Sequence, residues 1–148
     1  MEISKSKFLS TPKSKGDLVF DPNIKILIID DMKTMRKIVS KSLKDLGFQN
    51  ITEAEDGAKG WEALSAAHAD FGLIISDWNM PQCTGIDLLK RVRADSRFTK
   101  LPFVLVTAES EKSQVIEALT VGVSAYVIKP FDTESLKNKL AEAYKKAA

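Results

Sequence analysis

Thiol and imidazole side chains are almost absent from this sequence, which has one cysteine, Cys83, and one histidine, His68. A single cysteine excludes a disulfide within the chain and fits a reducing compartment, so we expect a cytoplasmic protein. No residue of a metal-binding type is spaced to join His68. It follows Leu64 by four residues, and we expect it to interact with the last carbonyls of a helix. Neither residue predicts a catalytic or metal site.

Long apolar stretches are also missing. No run approaches the roughly 20 residues that a membrane-spanning helix needs, and the N-terminus lacks the apolar core of a signal peptide. The net charge is only +2, which is too small to indicate a nucleic-acid or membrane surface as a target. We therefore expect no nucleic acid and no membrane among the binding partners.

The first 23 residues differ in composition from the rest of the chain. They contain four lysines among serines and three residues that interrupt regular structure: Lys5, Lys7, Lys13, Lys15, Pro12, Gly16 and Pro22. Such a segment buries too little apolar surface to become ordered, so residues 1–23 are predicted to form a flexible, basic, serine-rich tail. Docking of Leu18, Val19 and Phe20 onto the domain or a partner is the alternative. Residues 24–148 are long enough for one domain with a hydrophobic core.

From Ile24 onwards, short apolar runs alternate with amphipathic stretches. The runs are Lys25–Ile29, Ile51–Glu55, Leu73–Asp77, Phe103–Thr107 and Ala125–Ile128. A helical pattern follows each run, and the first helix is predicted to bury one apolar face, made of Met35, Ile38, Val39, Leu43 and Leu46. Gly47 and Gly122 are placed to end helices, and Asp132 to begin the last one. Five strand–helix units predict an α/β domain, a doubly wound parallel sheet with helices on both faces.

Polar residues stand where four of these strands end. Asp30 and Asp31 follow the first strand, Asp77 and Thr107 close the third and fourth, and Lys129 follows the fifth. Ligands of open α/β sheets bind beyond the carboxyl ends of the strands, so we expect these residues to converge. Three carboxylates together repel one another and need a cation, and hard oxygen ligands suit Mg²⁺. With a lysine and a hydroxyl to contact phosphate, they predict a phosphoryl-transfer site with a carboxylate acceptor.

The same site is poorly equipped for hydrolysis. Asn79 stands two residues after Asp77, where a phosphatase of the haloacid-dehalogenase type would need a second aspartate. We therefore predict a signalling protein that stores phosphate, and not a turnover enzyme. Asp30 and Asp31 also argue against a flavodoxin-type cofactor binder, whose phosphate loop after the first strand would carry hydroxyls and amides.

These residues resemble the receiver domain of bacterial two-component response regulators, and the match runs from Ile24 to the C-terminus. Longer stretches are similar to the single-domain chemotaxis regulators of the CheY type: Thr34–Arg36, Glu53–Gly57, Ser76–Pro81, Val106–Glu109 and Tyr126–Phe131. The resemblance implies a flavodoxin-like sheet with strand order 2-1-3-4-5, five helices, a receiver domain over residues 24–148, and a monomer.

The resemblance also implies a role for each residue at the strand ends. Asp77 is the expected phosphoacceptor. Mg²⁺ is expected to bind Asp30, Asp31 and Asp77 together with the backbone carbonyl of Asn79. Lys129 is expected to contact the phosphate, and its bond to the following proline is expected to be cis.

Thr107 and Tyr126 are the expected switch residues. The Thr107 hydroxyl would move towards a new phosphate, and Tyr126 would rotate into the space that it leaves. Output is expected from the fourth helix, the fifth strand and the fifth helix, through Ser110, Lys112, Val115, Leu119, Tyr126, Ile128, Phe131 and Lys139.

The resemblance names partners as well. They are a CheA-like chemotaxis histidine kinase and a FliM-like flagellar motor switch protein, whose peptide would bind as a short helix and so control flagellar rotation. A phosphatase is a further candidate partner. A phosphate sink or relay without a motor target is the alternative with the same chemistry.

Overall fold

The computed structural model describes residues 20–108 and 112–147 of the 148-residue chain. Strands and helices alternate within these ranges as β1 (Ile26–Ile29), α1 (Lys33–Asp45), β2 (Ile51–Ala54), α2 (Gly57–Ser65), β3 (Leu73–Asp77), α3 (Gly85–Ala94), β4 (Phe103–Thr107), α4 (Lys112–Val121), β5 (Ala125–Ile128) and α5 (Thr133–Ala147). The strands form one parallel sheet in the order β2-β1-β3-β4-β5. The predicted fold class and strand order are confirmed.

Side chains alternate between the two faces of this sheet, so each strand contributes to two cores. Leu27, Ile74 and Leu105 lie in the core that α2, α3 and α4 cover. Ile28 and Ile75 lie in the core that α1 and α5 cover. Burial on both faces explains why the central strands read as uninterrupted apolar runs.

The predicted helix ends agree with the structure at three places. Gly47 and Gly122 have φ angles of +101° and +108° just after α1 and α4, a conformation in which a glycine costs least. The Asp132 carboxylate accepts a hydrogen bond of 2.8 Å from the backbone N–H of Ser135 and so caps α5.

The predicted buried face of α1 is wrong at one residue. Ile38 is 45% exposed, whereas Ser40 and Ser42 are buried beside Val39 and Leu43. The Ser42 hydroxyl accepts a hydrogen bond of 3.4 Å from Thr133 at the start of α5. Small serines let α1 approach α5 closely, and the helix is therefore oriented with these serines towards α5 and with Ile38 towards solvent.

The helix before His68 ends earlier than the sequence pattern predicts. α2 closes at Ser65, and His68 follows three residues later with a left-handed φ of 60°. The histidine therefore lies in the α2–β3 connection, outside the last turn of the helix.

The packed part of the chain begins before the predicted boundary after residue 23. Phe20 is 1% exposed, and its ring meets the ring of Tyr144 edge to face with centroids 5.2 Å apart. Docking onto the domain, the alternative for this segment, is thus what Phe20 does. The rest of the predicted tail, residues 1–19, lies outside the described residues. In the described ranges, no helix combines the length and apolar character needed to cross a membrane.

Candidate functional site

Asp30 and Asp77 lie side by side at the centre of the sheet edge. β1 and β3 are neighbouring strands, and Ile29 pairs with Ser76, so the next residue of each strand is an aspartate. This is also the point where the strand order reverses, because β2 lies to one side of β1 and β3 to the other. A parallel sheet opens a crevice for ligands at such a point.

Asp31 completes a cluster of three carboxylates. One oxygen from each of Asp30, Asp31 and Asp77 can be chosen so that all three lie within 4.8 Å of one another. Asp30 and Asp77 are buried, at 3% and 6% exposure, whereas Asp31 is exposed. Two fixed ligands and one open to solvent form a donor set that suits a hard divalent cation which keeps some of its water.

Burial makes the charged form of this cluster costly. Desolvation raises the pKa of Asp30 above its usual value, and the neighbouring charge of Asp77 raises it further. Desolvation also raises the pKa of Asp77, against a smaller lowering by the hydrogen bond from Lys129. A bound cation would relieve both the repulsion and the desolvation, so the electrostatics of the site favour metal binding.

Lys129 reaches the cluster from the far side of β4. Its Nζ donates a hydrogen bond of 3.0 Å to Asp77 Oδ1 and lies 3.8 Å from Asp30 Oδ2. The backbone N–H of Lys129 bonds to the carbonyl of Thr107 at 2.7 Å, which ties the end of β5 to the end of β4. The peptide bond from Lys129 to Pro130 is cis, as the resemblance implied.

The two expected switch residues are buried next to the site. Thr107 ends β4, one residue beyond Val106, the partner of Asp77 in the ladder. Tyr126 is in β5, and its ring packs edge to face on Trp78, which follows Asp77 directly. Tyr126 is therefore in contact with the loop that follows Asp77.

The loop after β3 is held against Asp77 by Gly85, the first residue of α3. The backbone N–H of Gly85 donates to the carbonyl of Trp78 at 2.8 Å. A Cβ on residue 85 would collide with the backbone oxygen of Asp77. Asn79 is exposed in this loop, and its carbonyl as a metal ligand stays a prediction.

Arg36 is a neighbour of the site to which the sequence pattern assigned no role. Its Nη1 donates a hydrogen bond of 2.7 Å to the backbone oxygen of Asp30, and its Nε bonds to Glu53 at 3.1 Å. No sequence signal reveals that an arginine one turn into α1 reaches the carbonyl of a strand end.

The expected output face is partly exposed and apolar. Leu119 and Ile128 are exposed, as is Ile116, which the sequence pattern did not single out. Val115 and Phe131 are half-buried, and Lys139 pairs with Glu142 at 3.7 Å. Tyr126 is buried, in the core cluster against which Val115 packs, and so lies beneath this face. Ser110 lies outside the described residues, and Lys112 is described only as the first residue of α4.

The chain matches known proteins over most of its length. The response regulator receiver domain matches residues 26–141. The chain is 47% identical over 117 residues to the chemotaxis protein CheY1 of Helicobacter pylori, across 79% of this chain and 94% of that relative. It is 48% identical over 123 residues to the chemotaxis protein CheY of Pseudomonas aeruginosa, across 83% and 98%.

A solved structure agrees with these relatives. The chemotaxis response regulator CheY4 of Vibrio cholerae is 34% identical to this chain, with a TM-score of 0.72, and the match covers 82% of this chain and 98% of that one. Sheet order, site geometry and sequence therefore lead to one assignment: the chain belongs to the response regulator receiver domain family, and within it to the CheY-like regulators of chemotaxis.

Proposed function

We propose that this protein is a phosphorylation-controlled binding switch. Asp77 accepts a phosphoryl group from a CheA-like histidine kinase with the help of Mg²⁺, and the modified protein binds a FliM-like flagellar motor switch protein. The observation that carries the proposal is the placement of Asp77 at the switch point of the sheet, 3.0 Å from Lys129 and clustered with two further carboxylates. A cytoplasmic location belongs to the same proposal and is supported by the single cysteine.

The chemistry requires little more than positioning and neutralisation of charge. A carboxylate oxygen of Asp77 attacks the phosphorus of a phosphohistidine, the P–N bond breaks, and the imidazole leaves with the electron pair. Mg²⁺ held by Asp30, Asp31 and Asp77 would offset the charge of the phosphoryl oxygens. Lys129 would move its bond from Asp77 to one of those oxygens, because the acyl phosphate carries more negative charge than the carboxylate it replaces.

The stored signal has to change the population of two conformations. Shifting a 1:99 ratio to 99:1 takes about 5.5 kcal/mol of differential stabilisation. Charge-assisted bonds from Lys129 and a bond from the Thr107 hydroxyl, formed only with phosphate, are of the right kind to supply a large part of it. Thr107 is buried at the end of β4, and Tyr126 is on β5 in the ladder with β4, so a shift of the hydroxyl can be passed to Tyr126.

The output face has the character of a groove for a short amphipathic helix. Ile116 and Leu119 on α4 and Ile128 on β5 expose apolar side chains that a partner helix can cover. Phosphate on Asp77 would act on this face through Tyr126, which lies beneath it.

The proposal is tested by titrating a peptide from the N-terminus of FliM into the protein, with and without beryllofluoride and Mg²⁺ as a phosphoryl mimic. We expect clearly tighter binding with the mimic, and no gain for Asp77→Asn, which lacks the acceptor. Ile128→Lys is the matched variant on the output face and should lose the peptide while keeping the mimic. Equal or absent peptide binding in both states would refute the motor target and favour a phosphate sink or relay.

A further inference from the structure

We infer that Arg36 is a positioning residue for the metal-binding aspartates, because it fixes the peptide group that joins Asp30 to Asp31. The inference rests on the magnesium site proposed above. Nη1 of Arg36 donates a hydrogen bond of 2.7 Å to the backbone oxygen of Asp30. That oxygen belongs to the planar peptide unit that continues into Asp31. Holding it in place restricts the backbone orientation of both residues.

The other polar groups of Asp30 already have partners. Its N–H donates to the carbonyl of Ala54 in β2 at 3.2 Å, and its Oδ1 accepts from the N–H of Met32 at 2.9 Å. Its Oδ2 forms an ion pair with Nζ of Lys129 at 3.8 Å. The backbone oxygen is the group that remains, and Arg36 supplies its donor. Asp30 is thereby held by β2 through its N–H, by Arg36 of α1 through its backbone oxygen, and by the N–H of Met32 through its carboxylate.

Asp31 depends on this backbone more than Asp30 does. Its side chain is exposed, and among the described residues no hydrogen bond or ion pair holds its carboxylate. Only the backbone directs that carboxylate towards Asp30 and Asp77, with which it shares the cluster. A small rotation of the preceding peptide plane would therefore displace a ligand that has no further support from the described residues.

Arg36 is itself held firmly enough to do this. Its Nε lies 3.1 Å from Oε1 of Glu53 in β2, and its side chain is only 14% exposed, against 39% for Glu53. The guanidinium is planar with donors in fixed directions, so one side chain can serve a carbonyl and a carboxylate at once. Glu53 also balances the positive charge, which leaves Arg36 to orient the aspartates while Lys129 offsets their charge.

The test is a Mg²⁺ titration followed by the fluorescence of Trp78, in a Trp61→Phe parent that keeps this single tryptophan. Mutation of a residue that orients metal ligands in this way typically weakens metal binding by about 10–100-fold. We expect Arg36→Ala to weaken Mg²⁺ binding by that amount. Arg36→Lys keeps the charge and reaches only one acceptor, so we expect an intermediate loss. Glu53→Gln keeps the bond to Asp30 and should stay within about threefold of the parent.

Urea unfolding in EDTA, without the metal, separates orientation from a merely structural role. A structural role alone would lower the unfolding midpoint of Arg36→Ala and leave its Mg²⁺ affinity within threefold of the parent, and that result would overturn the inference. An equal loss of affinity in Glu53→Gln and Arg36→Ala would also overturn it, because anchoring of α1 to β2 would then explain the effect. If Arg36→Ala does not fold, Arg36→Lys takes its place. A Mg²⁺ affinity of Arg36→Lys within threefold of the parent, or a loss equal to that of Glu53→Gln, would then overturn the inference. A parent that shows no Mg²⁺ response would refute the proposed metal site and this inference together.

Discussion

The indole ring of Trp78 meets the phenol ring of Tyr126 edge to face, with the two ring centroids 6.1 Å apart. One of these residues directly follows Asp77, the proposed acceptor, and the other is on β5, beneath the face proposed for output. A change of charge at Asp77 therefore occurs next to the ring of Trp78, which contacts the expected switch residue Tyr126. The contact makes Trp78 a natural reporter for a change of charge at Asp77 and for a movement of Tyr126.

Mg²⁺ is expected to quench the fluorescence of Trp78 in the Trp61→Phe parent. The indole is buried, so a dissolved salt would have little access to it, and an effect of millimolar Mg²⁺ would have to come through the site. Asp31→Asn is the matched control, because that side chain is exposed and its loss should leave the fold intact. The quench should be saturable in the parent and strongly weakened in the control. An unchanged signal in the parent would count against the metal site.

Replacement of Asp77 by asparagine is expected to abolish phosphorylation without unfolding the protein. The amide has nearly the same shape as the carboxylate, but it is not a nucleophile for phosphorus. It also removes a buried charge whose pKa burial has raised, so the free energy of unfolding in EDTA at neutral pH should not fall. The measurement is incorporation of phosphate from a small acyl phosphate, with urea unfolding alongside. Incorporation at the wild-type rate would show that another residue is the acceptor.

Asp30→Asn is expected to stabilise the protein without metal, and to do so more as the pH rises. Desolvation raises the folded-state pKa of Asp30 above its unfolded value, so the folded protein binds this proton more tightly than the unfolded chain. The aspartate therefore costs nothing below its unfolded pKa of about 3.9, and its full cost applies above the raised folded pKa. Urea unfolding of both proteins in EDTA across this range checks the sign. A gain in stability that is largest at the acid end would contradict it.

The strand-end residues were predictable because a local rule places them. Apolar runs mark buried parallel strands, and the residue that follows each run lies at the ligand edge, which is how Asp30, Asp77 and Lys129 come together. The contact of Arg36 with the Asp30 carbonyl was not predictable, because it depends on where α1 sits on the sheet. The same holds for Ile38, since the orientation of α1 is decided by small serines facing α5. Phe20 was placed in the tail because the composition of a segment does not show that one of its rings packs against a residue 124 positions later in the chain.

Phe20 is expected to anchor the start of the domain. Its burial against Tyr144 resembles that of a core residue, and removal of such a phenylalanine ring costs about 3–5 kcal/mol. Phe20→Ala should therefore lower the free energy of unfolding by an amount within this range. A loss below about 0.5 kcal/mol, the size of an ordinary surface substitution, would show that Phe20 is not part of the core.

Tyr144→Phe is the matched variant for this pair. The Tyr144 hydroxyl is buried, and among the described residues it has no hydrogen-bond partner. A buried polar group without a partner costs about 1–3 kcal/mol, so its removal should leave stability unchanged or higher. Urea unfolding measures both variants, and a clear loss for Tyr144→Phe would mean that the hydroxyl has a partner in solution.

Gly85→Ala is expected to impair the acceptor as well as the fold. The added Cβ would collide with the backbone oxygen of Asp77, and backbone cannot move aside as a flexible side chain can. Overpacking of this kind costs about 1–3 kcal/mol. Gly57→Ala is the control, because its Cβ would meet the side chain of Cys83 at 2.7 Å and leave Asp77 untouched. Both variants should lose stability in urea, but only Gly85→Ala should take up phosphate from a small acyl phosphate more slowly, because only there is the nucleophile displaced from Lys129 and from its fellow carboxylates. Equal rates in the two variants would mean that the loop after β3 adapts without moving the acceptor.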